Sequence, residues 1–568
     1  MTPFLQEPPK LPDAWSDDPI LREGLEWHLG GVLFAAAQTE LADVGRWSTA
    51  PETLEAALRA ENEPPELVHY STWGERVDEI RVSSAYVELG REGVRRGVVS
   101  LPYEAGPYGE KARIVWAALI HMWGPSSALY SCPIAMTDAA ARTLLLYGGP
   151  EDLEVVERLV SRDPAVAWSS GQWMTETAGG SDVGRTGTIA RHEDGGWRLY
   201  GTKWFTSATT SDMALTLARP EGGPAGSRGL ALFRVHRQLD DGTSNRIFVR
   251  RLKDKLGTRS LPTAELELDG ALAFPVGEVM DGGGLRRIST MLNLTRLHNS
   301  IAASAAIARG LGWARGYASV REVFGKRLEQ HPAHRVTLGE LATDHAAALA
   351  LVLRCAQLIG KVEHGSAGQH EEAVVRGLTP VTKLATARWA VADAAEAMEA
   401  LGGVGYCEDS GLPALVRNAH VLPIWEGTTN VLALDLLRAE GRSGALGALL
   451  DDASRIVSEV SSDPAVQGAA SEVLGSLDSL KGRIAAATVD ENSAQAAARS
   501  IALSVAKVYA GSLLCAQGAW ASSRGRDQTA RFAHRFAERG LLAPPPPTNL
   551  DLAFGGADAS GTSPVDVS

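Results

Sequence analysis

The spacing of apolar residues changes period twice along this chain, and that double switch restricts the available folds more than any single motif does. From residue 17 to about 148, apolar residues recur at three and four, as in Leu25, Leu29, Val32 and Leu33 and again in Ile114, Trp116, Leu119, Ile120 and Trp123. This repeat lays one face of a helix against a core. From residue 165 to about 279, short runs alternate polar and apolar between turn residues. Segments 186–190, 196–201, 214–218, 229–235 and 264–268 read as strands at barrel or sandwich spacing. Gly282, Gly283 and Gly284 close that block. Helical spacing then returns over 285–322, 332–366, 371–401 and 428–439, with Ala-rich faces suited to an antiparallel bundle. A second helical region runs from Gly441 to about residue 539, and a Pro-, Gly- and Ser-rich tail reads as disordered. The expectation is a multidomain α+β chain: a helical domain over 1–164, a β-barrel over 165–280, a helical bundle over 281–440, an added helical domain over 441–543 and a tail over 544–568.

A chain of 568 residues is too long for one ordinary core. Its apolar share of 45% and charged share of 22% are those of a globular protein, and no apolar run approaches the roughly 18 residues of a membrane span. The start, MTPFLQEPPKLPDAW, has neither signal- nor transit-peptide character, so a cytoplasmic location is expected. Cys132, Cys355, Cys407 and Cys515 lie far apart without CxxC spacing, which fits reduced thiols. No metal site is expected: His331 and His334 straddle Pro332 without an evident carboxylate partner. A net charge of −13 argues against a general polyanion binder but leaves room for a local basic patch.

Three stretches carry chemistry. In Val421–Val431 a single carboxylate, Glu426, stands between bulky apolar residues and Gly427, ahead of a helix starting near Thr428. Poor solvation there makes a carboxylate more basic. Met174-Thr175-Glu176-Thr177-Ala178-Gly179-Gly180-Ser181-Asp182-Val183 ends a strand in a Gly-Gly-Ser turn whose N–H groups and hydroxyls can meet a phosphate or a polar ring. Further on, Gly201-Thr202-Lys203-Trp204-Phe205-Thr206-Ser207 sets a Trp that can flank a flavin beside a hydroxyl that can bond its N5. Each has a plainer reading in isolation, as a paired loop Glu, a bare turn or a core Trp. The basic run Arg250, Arg251, Lys253, Lys255 and Arg259 reads as a solvated edge, with a nucleotide contact as the alternative.

Together, MTETAGGSDV, KWFTS and IWEGTTN resemble the acyl-CoA dehydrogenases, over about residues 17–438. Arg321-Glu322-Val323-Phe324-Gly325 is similar to that family's R-x-x-F-G segment, and Ala400-Leu401-Gly402-Gly403 to its Gly-Gly approach to the FAD diphosphate. Segments 251–260, 395–403 and 405–410 and the long C-terminal region resemble the AidB-type branch. The resemblance implies FAD as cofactor, with Glu426 as the base. It places Met174, Thr175, Gly180, Ser181, Trp204, Thr206, Thr428 and Asn430 around the cofactor, and Ser181, Arg296 and Gly427 at the substrate. Phe324, Gly402 and Gly403 would also meet the FAD, and Arg321 would reach the FAD of a neighbouring subunit in a homo-oligomer, the tetramer being the common family form. Glu399 departs from the Gln that many relatives carry.

The activity implied is α,β-dehydrogenation of an acyl-CoA thioester, with electron-transfer flavoprotein as a possible acceptor and no membrane partner. The rival is an AidB-like flavoprotein that binds DNA in alkylation-stress protection. Residues 440–543 carry eleven Lys and Arg against eleven Asp and Glu. Only 524–539 is locally basic, with Arg531, Arg535 and Arg539 forming a stripe that reads as a solvated or interhelix face.

Overall fold

Helix α1 (Pro19–Leu29) begins where the Asp18 carboxylate accepts the Leu21 N–H at 3.0 Å and Pro19 takes the first helical position, and Gly30 ends it in a left-handed conformation. The computed structural model describes residues 6–547, so the expected tail lies outside the described residues from 548 onward. Helices α2 (Gly31–Thr49) and α3 (Pro51–Asn62) follow, then an antiparallel hairpin, β1 (Glu66–Tyr70) and β2 (Arg76–Arg81), then α4 (Ser84–Arg95), α5 (Ala112–Trp123), α6 (Ser131–Tyr147) and α7 (Leu153–Leu159). The hairpin interrupts a stretch expected to be helical; neither strand holds a fully buried residue, so the apolar pattern that would mark it is weak. Every residue of α5 is buried, Arg113 included. Arg113 is held between Asp138 at 2.8 Å and Glu363 at 2.8 Å.

The sheet comprises β3 (Ser170–Trp173), β4 (Ile189–Glu193), β5 (Gly196–Ser207), β6 (Met213–Pro220), β7 (Ala231–His236), β8 (Ile247–Leu252) and β9 (Thr263–Pro275). The strands β6, β4, β5, β9 and β7 pair in succession and β7 pairs back onto β6, which closes a barrel around Phe233, Leu199, Leu266 and Ala214; β3 and β8 flank it on β6 and β9. Strands β3 and β8 fall outside the segments expected from alternation. Four residues give β3 little pattern, and β8 runs into the basic stretch. There Arg251 and Lys253 pair with Glu265, and Lys255 donates to the Thr258 and Leu261 carbonyls, so the run is largely used within the barrel.

The bundle is built from α8 (Gly284–Val320), α9 (Pro332–Glu363) and α10 (Gln369–Ala400), with a two-residue-strand hairpin, β10 (Glu322–Val323) and β11 (Lys326–Arg327), between the first two. Then come α11 (Leu412–Ala419), α12 (Thr429–Ser443), α13 (Ala445–Ser458), α14 (Gln467–Ala487), α15 (Glu491–Ser522) and α16 (Gln528–Glu538). Helices α9 and α15 are long and apolar enough to cross a membrane, but 67% and 83% of their most apolar windows are buried within the protein. One core joins the N-terminal helices, the bundle and the C-terminal helices. Within that packing Arg535 pairs with Glu340 at 2.5 Å and Arg539 with Asp344 at 2.8 Å, so two arginines of the basic stripe face α9.

Candidate active site

The turn joining α11 to α12 carries Glu426 in the left-handed region at φ +56°, followed by Gly427 at φ +105°. For a residue with a Cβ this conformation costs on the order of 1 kcal/mol or more, and it persists only where surrounding contacts enforce it. Those contacts are present on three elements. From α8, the Thr295 hydroxyl donates to Glu426 Oε2 at 2.8 Å, and Arg296 Nε approaches the Glu426 carbonyl at 3.4 Å. From α10, Lys383 donates to the Gly427 carbonyl at 2.6 Å. Strand β3 brings the Gln172 amide to the carboxylate, which ties the head of the MTETAGG segment to the Glu426 turn.

Burial pushes the Glu426 carboxyl above its usual range, and the Thr295 hydrogen bond with the Arg296 and Lys383 charges limits the rise. Burial also brings Lys383 down to about 7, against the pull of Glu426 and with help from Arg296. Cys132, on α6, is pushed up to about 12 by burial and by Glu426, so it stays a thiol. The site therefore holds one carboxylate of raised basicity within reach of a lysine that titrates near neutrality.

Arg296, expected at the substrate, has its guanidinium taken up within the protein: it bonds Asp435 at 2.9 Å, which in turn bonds Arg376 at 2.7 Å. Thr206 likewise donates to the Ala264 carbonyl at 2.7 Å inside the sheet. Trp204 N–H donates to the Thr175 carbonyl at 2.9 Å, joining the two flavin-like segments, and the Lys253 ammonium lies 3.7 Å from the Trp204 ring centroid. Met174 packs on the core, whereas Gly180 and Ser181 are exposed in the turn beyond it. A Cβ on Gly180 would stand 2.8 Å from Thr175 Oγ1, which explains the glycine. The loop is anchored beneath by Glu176, bonded to the buried Lys203 at 2.8 Å and to the Gly187 N–H at 2.7 Å. Thr428 caps α12 and is exposed, as is Asn430.

A second group of expected residues lies elsewhere. Arg321 caps α8 and bonds Gln6 at 3.1 Å, Phe324 is 97% exposed at the hairpin tip, and Gly402 and Gly403 are exposed beside Val404 and Tyr406. Packing of Tyr317 with Leu401 and Leu412 puts all four at one end of the bundle. From Thr295 to Arg321 the chain climbs 26 residues of α8, about 39 Å at 1.5 Å per residue. Arg321 therefore stands far from the Glu426 of its own chain.

Four family models match in succession: the "Adaptive response protein AidB N-terminal domain" over 6–163, the "Acyl-CoA dehydrogenase, middle domain" over 171–271, the "Acyl-CoA dehydrogenase, C-terminal domain" over 282–441 and the "Acyl-CoA dehydrogenase 11 C-terminal domain-like" model over 444–546. The chain is 40% identical to acyl-CoA dehydrogenase family member 11 of Caenorhabditis elegans, over 90% of its own length and 85% of that protein. It is 35% identical to the putative acyl-CoA dehydrogenase AidB of Escherichia coli, over 78% of this chain and 80% of that one. Its structure resembles that of Caenorhabditis elegans ACDH-11 in complex with C11-CoA, with a TM-score of 0.91, 38% identity and coverage of 96% and 94% of the two chains.

Proposed function

Because the chain belongs to the acyl-CoA dehydrogenase family, we propose that it takes two hydrogens from the α and β carbons of an acyl-CoA thioester, with Glu426 as the base and FAD as the resident cofactor. The observation that carries this reading is the Glu426 turn: a carboxylate forced into a left-handed backbone, made more basic by burial, and steadied by Thr295 and Lys383. The residues present suit FAD. Buried Gln172 Oε1 and Trp425 Nε1 lack partners among the described residues beside Glu426, and Trp204 and Phe205 present a partly exposed aromatic wall beyond Thr175, whose carbonyl accepts the Trp204 backbone N–H. Met174, Thr175, Gly180, Ser181, Trp204, Thr206, Thr428 and Asn430 would hold the cofactor. Bound FAD would supply the acceptor for the hydride that leaves the β carbon.

The chain's own residues handle the proton. Glu426 takes the α-proton and becomes a neutral acid, the form its surroundings favour. Gly427, with no side chain, would let the thioester lie against the turn, and Ser181 would meet the substrate from the Gly180–Ser181 turn. Arg296 acts through Glu426, fixing its carbonyl while Asp435 neutralises the guanidinium. The C11-CoA held by the Caenorhabditis elegans relative supports an acyl-CoA substrate. Separation of Arg321 and Phe324 from Glu426 along α8 supports their action on the cofactor of a second copy, within a tetramer. Electron-transfer flavoprotein suits the role of acceptor, and four free cysteines support a cytoplasmic location. The DNA-binding alternative is weakened by the engagement of Arg535 and Arg539 with α9.

The test is anaerobic bleaching of the bound flavin by straight and branched acyl-CoAs. Glu426→Gln keeps flavin and fold and slows bleaching by about 10² or more, because shape is retained and basicity lost. Bleaching of the variant at the wild-type rate overturns the assignment of the base.

A further inference from the structure

Well away from the Glu426 turn, α1, α5 and α9 meet around three side chains more than a hundred residues apart in sequence. Asp18, His121 and His345 each offer a potential ligand atom, and these atoms lie within 4.8 Å of one another. His121 is 4% exposed and His345 1%. His345 Nε2 lies 2.9 Å from Asp18 Oδ2, and the two imidazoles stack with centroids 5.5 Å apart. Both ring nitrogens of His121 are buried without a partner among the described residues, as is His345 Nδ1. An orphaned buried polar atom costs about 1–3 kcal/mol, so this arrangement is expensive unless something satisfies it. The three side chains line one wall of a cavity of about 320 Å³.

We propose that Asp18, His121 and His345 form a binding site for a divalent transition-metal ion of the zinc class, with its remaining coordination open to the cavity. Two imidazole nitrogens and one carboxylate oxygen are a donor set for such ions rather than for calcium or magnesium, which prefer oxygen. Donors about 2.0–2.1 Å from a tetrahedral ion stand roughly 3.3 Å apart, so small side-chain rotations bring the present triangle to ligating distance. Neither ring nitrogen of His121 has a partner among the described residues, so either can turn a lone pair to the ion. The ion replaces the hydrogen bond between His345 Nε2 and Asp18 Oδ2: the single ring proton of the imidazole then sits on Nδ1, which leaves the Nε2 lone pair and the Asp18 carboxylate for the ion. Asp18 is oriented for this by the Leu21 N–H on its other oxygen. The Arg309 and Arg315 charges lining the cavity are offset by Asp13 and Asp17, which also line it.

The test uses the full chain with its flavin, stripped with a chelator, incubated with Zn²⁺ and freed of unbound metal. Wild type should retain about one ion per chain and melt at a higher temperature, with no such rise in Mg²⁺. His121→Phe preserves the ring shape and removes no hydrogen bond to a described residue, so it should fold, keep its flavin and its bleaching by acyl-CoA, and lose the retained zinc. His192→Ala, on an exposed barrel residue, should keep it. Zinc retention by His121→Phe equal to wild type overturns the proposal, as does a wild type that retains none. Should His121→Phe fail to fold, Co²⁺-loaded wild type decides: intense visible bands of a four-coordinate ion support the site, and the weak spectrum of a hexa-aquo ion refutes it.

Discussion

Thr295→Val isolates the hydrogen bond that holds Glu426 below the basicity burial alone would give it. The Thr295 hydroxyl stands 2.8 Å from Glu426 Oε2 and 3.1 Å from the carbonyls of Met291 and Leu292, so it has other acceptors along its own helix once the carboxylate is protonated. Hydrogen bonds to charged groups contribute about 1.5–3 kcal/mol, and the fallback acceptors put this one near the lower figure. Since about 1.36 kcal/mol corresponds to one pKa unit, removing the bond should raise the Glu426 pKa by roughly one further unit. The acid limb of kcat/KM for flavin reduction should move up by the same amount, lowering the rate about tenfold below the limb and leaving it nearly unchanged above. Linkage fixes the sign of the stability effect. A carboxyl whose folded pKa is raised contributes stability that is fully present below its unfolded pKa and is lost as pH rises through the folded value. The variant should therefore lose about 1.5 kcal/mol at neutral pH, with the loss shrinking towards pH 4. Urea melts and rapid-mixing flavin reduction across the same pH series test both halves. A loss of stability independent of pH, with an unmoved acid limb, would show that Thr295 acts through packing and not through the carboxylate.

Lys383→Met should leave the Gly427 carbonyl without its donor, costing about 1–3 kcal/mol. Because Lys383 is lowered from 10.5 to about 7, the native protein should lose stability as pH falls between those values, and the variant should flatten that dependence in melts over the same range. Arg321→Ala should reduce flavin content together with the oligomer, read by light scattering and absorbance on one sample; a monomeric wild type with full flavin refutes a role between subunits. Duplex DNA should bind weakly at physiological salt, because only a few phosphate contacts are available from an acidic chain whose Arg535 and Arg539 are paired internally. Filter binding at 50 and 200 mM salt checks this, and tight binding at the higher salt contradicts it.

Local pattern sufficed wherever the physics is local. The two changes of period mark where helices give way to the barrel and return, since side-chain direction repeats every 3.6 residues in a helix and every two in a strand. The Gly-rich turns, KWFTS and the Glu-Gly pair stand out as candidates because each is a short segment whose own residue types suit close approach to a ligand. What escaped were elements too short or too polar to show a period: the exposed β1–β2 hairpin, four-residue β3 and the charged end of β8. The neighbours that tertiary packing brings to Glu426 were invisible for a different reason. Thr295, Lys383 and Gln172 reach Glu426 from three elements far along the chain, and among their sequence neighbours nothing marks them, except that Lys383 sits on a helix face otherwise lined by small and apolar buried residues. The arginine stripe shows the converse. Its spacing is a property of α16, but whether Arg535 and Arg539 meet water, DNA or Glu340 and Asp344 depends on where α9 lies. Asp18, His121 and His345 likewise become a cluster only when three helices converge. Sequence spacing sets which residues share a face, while packing between distant segments sets what that face touches.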